Sequence, residues 1–166
     1  MIVRQALTIT IAVFIAILLQ AALASRIAIG IARPDFVTAT VIGLGLLTGF
    51  GRGVFAGVWG GFLFAALCGA NFGSFMVSRG VAGGLVGNLP KSIQRDNIYV
   101  PIIAVIVGSI ASEIVYFIMA PASPVGWWAR MILTQSLYNA LITLPIYWAL
   151  QRALPPPRTT FAPQRR

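Results

Sequence analysis

The sequence predicts an all-α, polytopic membrane protein with six transmembrane helices, and three observations support this fold class. The chain of 166 residues is 58% hydrophobic and only 9% charged, whereas soluble domains carry about 25% charged residues. Its mean hydropathy is +0.90. Small residues spaced four apart mark close helix contacts in lipid, and glycines recur at this spacing at Gly45, Gly49, Gly53, Gly57 and Gly61.

Six apolar segments can be placed along the chain from the distribution of apolar residues. A membrane span needs about 20 mostly apolar residues, so six spans leave little room for a soluble domain. We therefore expect one transmembrane domain over residues 1–154 and a disordered cytoplasmic tail over 155–166. The predicted segments are 5–24, 36–50, 54–70, 72–89, 98–120 and 128–150.

The first segment has two interpretations. Arg4, the apolar run and the small residues before Ser25 are typical of a cleavable signal peptide. The run is long for such a peptide, which favours a retained helix. Its small residues Ala12 and Ala16 lie four apart and predict a face that docks a partner helix, although alanine is common enough for this spacing to arise by chance.

The second, third and fourth segments are short and rich in glycine. We expect these helices to be tilted, broken or partly re-entrant. Irregular backbone at membrane depth is tolerated only where protein or water satisfies its polar groups.

The basic residues predict the orientation of the chain. With six crossings and a cytoplasmic N-terminus, eight basic residues lie inside, against three outside, at Arg26, Arg33 and Arg130. Loops rich in Lys and Arg stay in the cytoplasm, so both termini are expected there. The eight are Arg4, Arg52, Lys91, Arg95, Arg152, Arg158, Arg165 and Arg166.

Composition argues against several classes of function. The net charge of +9 comes from helix ends and the tail rather than from a basic domain, so nucleic-acid binding is not expected. The chain has no histidine and a single cysteine, Cys68, and these cannot build an ordinary zinc, haem or iron–sulfur site. We expect no enzymatic activity, catalytic residue, metal or cofactor.

Two charges fall within predicted spans, at Arg79 and Glu113. A charge in the membrane is costly unless it is paired or hydrated, and both residues are predicted at about the same depth on successive antiparallel helices. We predict an intramembrane ion pair between them, acting as a packing lock or as a polar site for a ligand or partner; the absence of pairing is the third alternative. Asn71, Ser74, Ser78 and Asn139 are the candidates to line a cavity.

One part of the chain resembles the MreD family of bacterial rod-shape proteins. The pattern begins with Pro34-Asp35 ahead of an apolar helix and continues through the glycines at 49, 53, 57 and 61. It then includes Gly69-Ala70-Asn71-Phe72-Gly73 and a further glycine-bearing helix, which ends in a basic loop at Lys91 and Arg95. The match covers about 60 residues.

The resemblance implies a non-enzymatic subunit of the cell-wall elongation machinery in the bacterial inner membrane. Such a subunit binds MreC, a single-span protein, and works indirectly with the MreB cytoskeleton and with a glycan polymerase and transpeptidase. The family also resembles the substrate-binding subunits of energy-coupling-factor vitamin transporters, which implies a bundle like theirs. Small-molecule capture for such a transporter is the alternative function.

Overall fold

The computed structural model describes residues 2–69, 71–90, 99–121 and 124–154, with side chains from residue 5 onward. These residues form six helices, which confirms the all-α prediction. The predicted basic loop at Lys91 and Arg95 and the tail at 155–166 lie outside the described residues. The helices are α1 (Ile2–Leu23), α2 (Phe36–Thr48), α3 (Phe50–Cys68), α4 (Phe72–Gly87), α5 (Tyr99–Met119) and α6 (Val125–Ala153).

Three of the described helices are long and apolar enough to cross a membrane, namely Gln5–Leu23, Phe50–Cys68 and Tyr99–Met119. Large apolar side chains point outward, with Ile118 72% and Leu141 71% exposed, whereas the polar Asn139 and Thr143 are completely buried. This distribution is the reverse of that in a soluble domain, where buried polar groups and wide apolar surfaces are exceptional. The chain therefore has the character of an integral membrane protein.

Helix α2 is the centre of the bundle. It packs against each of the other five helices, and every residue from Phe36 to Leu46 is buried. Its 13 residues extend only about 20 Å at 1.5 Å per residue, compared with a hydrocarbon core of about 30 Å. Helix α2 is therefore too short to cross a hydrocarbon core of that thickness unaided, and its neighbours surround it.

The predicted second segment, 36–50, ends early because Gly49 interrupts the helix. Gly49 has φ +92°, a conformation that residues with a side chain rarely adopt. Its N–H still donates to the carbonyl of Gly45 at 2.8 Å, and α3 begins directly afterwards at Phe50. The chain thus reverses direction between α2 and α3 without a loop.

Helices α3 and α4 form the closest contact in the molecule. A methyl group added at Gly53, Gly57 or Gly61 would overlap the backbone of α4, at Gly83, Arg79 and Phe75 respectively. One added at Gly45 of α2 would also meet the carbonyl of Gly83. The structure therefore places four of the five predicted packing glycines against α4, whereas Gly49 makes the break between helices.

Candidate functional site

A buried polar cluster surrounds Pro34, Asp35 and Phe36, where the chain enters α2. Asp35 is the N-cap of this helix and is 3% exposed. Its Oδ1 accepts the backbone N–H of Thr38, and its Oδ2 accepts the Thr38 hydroxyl, both at 2.8 Å. An aspartate here satisfies a helix N–H that would otherwise lack a partner and also interacts favourably with the helix dipole.

Arg79, in the middle of α4, is the ionic partner of this carboxylate. Its Nη2 donates to Asp35 Oδ2 at 2.7 Å, and both side chains are at least 95% buried. The guanidinium carbon lies 4.1 Å from the ring centre of Phe64 and 4.9 Å from that of Phe75. Two aromatic faces therefore add cation–π attraction to the ion pair, and α3 joins the cluster through Phe64.

Amide side chains from two further helices satisfy the backbone at the start of α2. Gln20 of α1 donates its Nε2 to the carbonyl of Pro34 at 3.1 Å, and its Oε1 accepts the N–H of Phe36 at 2.8 Å. The N–H of Asp35 donates to Asn139 Oδ1 of α6 at 2.8 Å. Asn139 Nδ2 then donates to Ser109 Oγ of α5 at 3.2 Å. All six helices thus contribute to this cluster, which we call the Asp35 junction.

The structure corrects the predicted ion pair between Arg79 and Glu113. Arg79 pairs with Asp35. Within the described residues, Glu113 forms no salt bridge with Arg79. It is close enough only for a longer-range electrostatic interaction with Arg79 and with Asp35. In the sequence, Asp35 comes just before the predicted segment 36–50 rather than within a predicted span. Because α2 is short, its first residue instead lies as deep as Arg79, about 10 Å from the start of α4.

The four predicted cavity-lining residues have other roles. Asn139 is part of the Asp35 junction, and Ser78 donates to the carbonyl of Phe75 at 3.3 Å within α4. Ser74 is buried, and the exposed Asn71 donates its Nδ2 to the Tyr116 hydroxyl at 3.0 Å. None of them lines the recess described next. Three of the four, Asn71, Ser78 and Asn139, therefore have hydrogen-bond partners within the bundle.

A recess of about 360 Å³ lies above the Asp35 junction. The last turns of α1 and α3 form two of its walls, and Gln135 of α6 faces it from another side. Arg33, Ser25 and Cys68 give it a partly polar lining. It exists because α2 begins below the ends of its neighbours, which leaves a space over its first residue.

The predicted docking residues Ala12 and Ala16 pack against their own chain. Ala16 is 2% exposed and belongs to a core cluster with Phe36 and Val37 of α2, and Ala12 packs against a second cluster that includes Leu44. Both also line an apolar groove between α1 and α6. Their small size therefore brings α1 close to α2, and only the groove remains open.

The central residue of the site, Asp35, was not predicted as a site residue. The signal that could have found it is local: an aspartate after a proline and three residues before Thr38 is a helix N-cap pattern, and Arg79 is a buried cation that needs an anion. Gln20, Ser109 and Phe64 carried no comparable signal, because single polar or aromatic residues in apolar segments have many possible neighbours.

The Asp35 junction joins all six helices, and two of its members, Gln20 and Asp35, also line the recess. Within the described ranges, no three side chains of His, Cys, Asp or Glu come together as a metal site. Fold and site together define an all-α chain of the integral membrane class with a bonded polar centre. Comparisons of the chain with family models, with curated proteins and with solved structures found no match.

Proposed function

We propose that this chain is a non-enzymatic scaffold subunit of the bacterial rod-shape and cell-wall elongation complex. The proposal combines the sequence resemblance to the MreD family with the place of its Pro-Asp element in the fold. Pro34 and Asp35, which open the resembling pattern, lie at the junction that ties all six helices together. Most polar groups of the junction bond to one another, with Arg79 Nε as an exception, and the proposal places function on the outer surface.

The observation that carries the proposal is an exposed apolar stripe on α1. Leu7, Ile11, Phe14 and Leu18 are each at least half exposed. Their spacings of four, three and four residues are those of the contact positions in a left-handed helix pair, the commonest packing between membrane helices. In this proposal the stripe receives the single transmembrane helix of MreC.

The proposal includes a topology. All six helices cross the bacterial inner membrane, the bundle resembles that of the energy-coupling-factor substrate-binding subunits, and both termini are cytoplasmic. Arg52 at the start of α3 and Arg152 at the end of α6 then lie on the inner side, as the distribution of basic residues favours. MreB and the glycan polymerase and transpeptidase are reached through MreC.

Site-specific photocrosslinking in living cells tests this assignment. A photoreactive residue at Phe14 should crosslink to MreC, identified by mass spectrometry. One at Ile103, which is similarly exposed on α5 (58% against 53%), is the matched control and should not. Deleting the chain should convert rods to spheres. If the variant with the photoreactive residue at Phe14 restores rod shape but does not crosslink to MreC, the stripe is not the MreC contact. If cells that lack the chain remain rods, the proposed function is wrong.

The recess favours a second function, ligand capture for an energy-coupling-factor transporter. Its volume of about 360 Å³ falls within the range of small-molecule pockets, and in the proposed topology it opens to the outside. A vitamin that remains bound after purification, together with a co-purified ATPase partner, would support this alternative. Purification with MreC and without such a ligand would reject it.

A further inference from the structure

We propose that Glu113 of α5 is a proton-binding site, whose carboxyl group holds a proton at neutral pH inside the bundle. Glu113 lies six residues before the end of α5 at Met119, about 9 Å along the helix axis. Helix α5 is one of the three described helices that are long and apolar enough to cross a membrane. The inference requires only that α5 crosses a membrane, and it does not depend on the proposed partners.

The carboxyl group of Glu113 lies in a packed part of the bundle. The side chain is partly buried, and contacts between α5 and α6 lie on either side of it. Ser109, four residues earlier, bonds to Asn139, and Phe117, four residues later, stacks on Trp128. Within the described residues, the structure gives the Glu113 carboxyl group no hydrogen bond and no ion pair. A carboxylate in such a place lacks the partners that buried charges need.

The two charges that act on Glu113 do not compensate a carboxylate there. Arg79 is close enough for electrostatic attraction, but its guanidinium already pairs with Asp35 at 2.7 Å. Asp35 itself acts on Glu113 as a like charge. An ionised Glu113 would therefore leave these three groups with one uncompensated negative charge, and a single proton removes it. Because an unpaired charge in a membrane is costly, a buried acid without a partner takes up a proton instead.

The helices packed against α5 contribute few other ionisable groups. Helices α2 and α4 contribute Asp35 and Arg79, and the ionisable side chains of α6 are Arg130, Tyr138, Tyr147 and Arg152. Both of these arginines are exposed. The Tyr138 hydroxyl donates to the carbonyl of Ile27, and tyrosines stay neutral up to about pH 10. None of these α6 groups bonds to Glu113 in the described part of the chain, so a proton is the charge partner left to it.

Dicyclohexylcarbodiimide, an apolar reagent that requires a protonated carboxyl group, tests the proposal on the full chain in lipid vesicles. The acid proton moves to one nitrogen of the reagent, and the carboxyl oxygen bonds to its central carbon. Transfer of the acyl group to nitrogen then leaves a stable acylurea. An Asp96→Asn background leaves Asp35 and Glu113 as the only side-chain carboxyl groups. Peptide mass spectrometry should find the label on Glu113 and not on Asp35, and Glu113→Gln should abolish it.

Gln151→Glu in the same background supplies the matched control. Position 151 is exposed near the end of α6, so this variant adds a carboxyl group that water can reach. An ordinary glutamate titrates near pH ~4.3, and less than about 1% of it is protonated at pH 7. Glu113 should therefore be labelled at least about tenfold faster than the added carboxyl group. Equal labelling of the two would overturn the proposal.

The pH dependence of unfolding gives a second measurement. Raising the pH from about 5 to about 9 should lower the melting temperature of wild type relative to Glu113→Gln. The folded chain must then release the proton inside the bundle, whereas the unfolded chain has already lost it, and stability falls with pH wherever the folded state binds more protons. A melting-temperature difference that stays constant over this range would overturn the proposal and assign Glu113 a merely structural role.

Discussion

At the scale of single residues, the Asp35 junction shows how an apolar bundle accommodates full charges. Each charged group has a short bond to its opposite, and Asp35 also accepts two bonds from Thr38. Removing either ion alone leaves the other buried without compensation. A buried pair that loses one partner is destabilised by about 3–5 kcal/mol, more than most single contacts contribute.

The first prediction concerns this pair. Asp35→Asn should lower the free energy of unfolding in detergent by about 3–5 kcal/mol, because it leaves the Arg79 charge buried and unpaired. Combining it with Arg79→Gln should cost clearly less than the sum of the two single losses. Denaturant titration followed by tryptophan fluorescence measures each value.

Glu113→Gln is the control for that experiment. Glu113 makes no direct bond to Arg79, so its replacement should cost well below the loss from Asp35→Asn. The coupling energy between Glu113→Gln and Arg79→Gln should also be smaller than that between Asp35→Asn and Arg79→Gln. Strong coupling of Glu113 with Arg79, together with additive losses for Asp35 and Arg79, would restore the pair expected from the sequence.

Residue depth explains why the sequence identified the cation and not its partner. Arg79 is conspicuous because it interrupts an apolar segment, and the need for an anion follows from elementary energetics. The position of Asp35 depends on how deep α2 starts, which depends on the packing of five surrounding helices. Hydropathy marks where an apolar run begins along the chain, not its height in the membrane.

At the scale of elements, glycine spacing was the most informative pattern. The repeat predicted a close contact, and the structure shows it between α3 and α4, with Gly45 of α2 added. The repeat could not indicate that Gly49 would instead end a helix, since both roles require the absence of a side chain. Apolar runs likewise located six helices, with ends shifted by a few residues.

The second prediction compares two glycines of α3. Gly57→Ala should destabilise the fold by about 1–3 kcal/mol or more. The added methyl group would overlap the backbone of α4 at Arg79 and Gly80. A methyl group added at Gly51 would meet no other atom within 4 Å, so Gly51→Ala should be neutral or stabilising by up to about 1 kcal/mol. Thermal unfolding in detergent measures both, and equal effects would contradict the assigned α3–α4 contact.

At the scale of the whole molecule, helix ends define two faces. The end of α1, the start of α2 and the end of α3 all meet at the recess. The start of α3 and the end of α6 lie on the opposite side, with Arg52 and Arg152. This alternation of direction is what successive crossings of a membrane produce, and it provides a direct test of the proposed orientation.

The third prediction tests the proposed topology with the only cysteine of the chain, the exposed Cys68 at the end of α3 that lines the recess. A membrane-impermeant maleimide should label Cys68 in intact spheroplasts. In a Cys68→Ser background, Arg52→Cys, at the other end of the same helix, should react only after the cells are broken. Gel shift after labelling reports both sites. The reversed pattern would invert the topology, and labelling of both in intact cells would contradict a crossing by α3.

The 2.7 Å separation of Arg79 and Asp35 has an electrical consequence. A voltage across a bilayer acts on each displaced elementary charge with about 2.3 kcal/mol per 100 mV. Because the two opposite charges lie side by side, the forces on them nearly cancel. In a membrane, a voltage would therefore do little work when this pair moves as a unit.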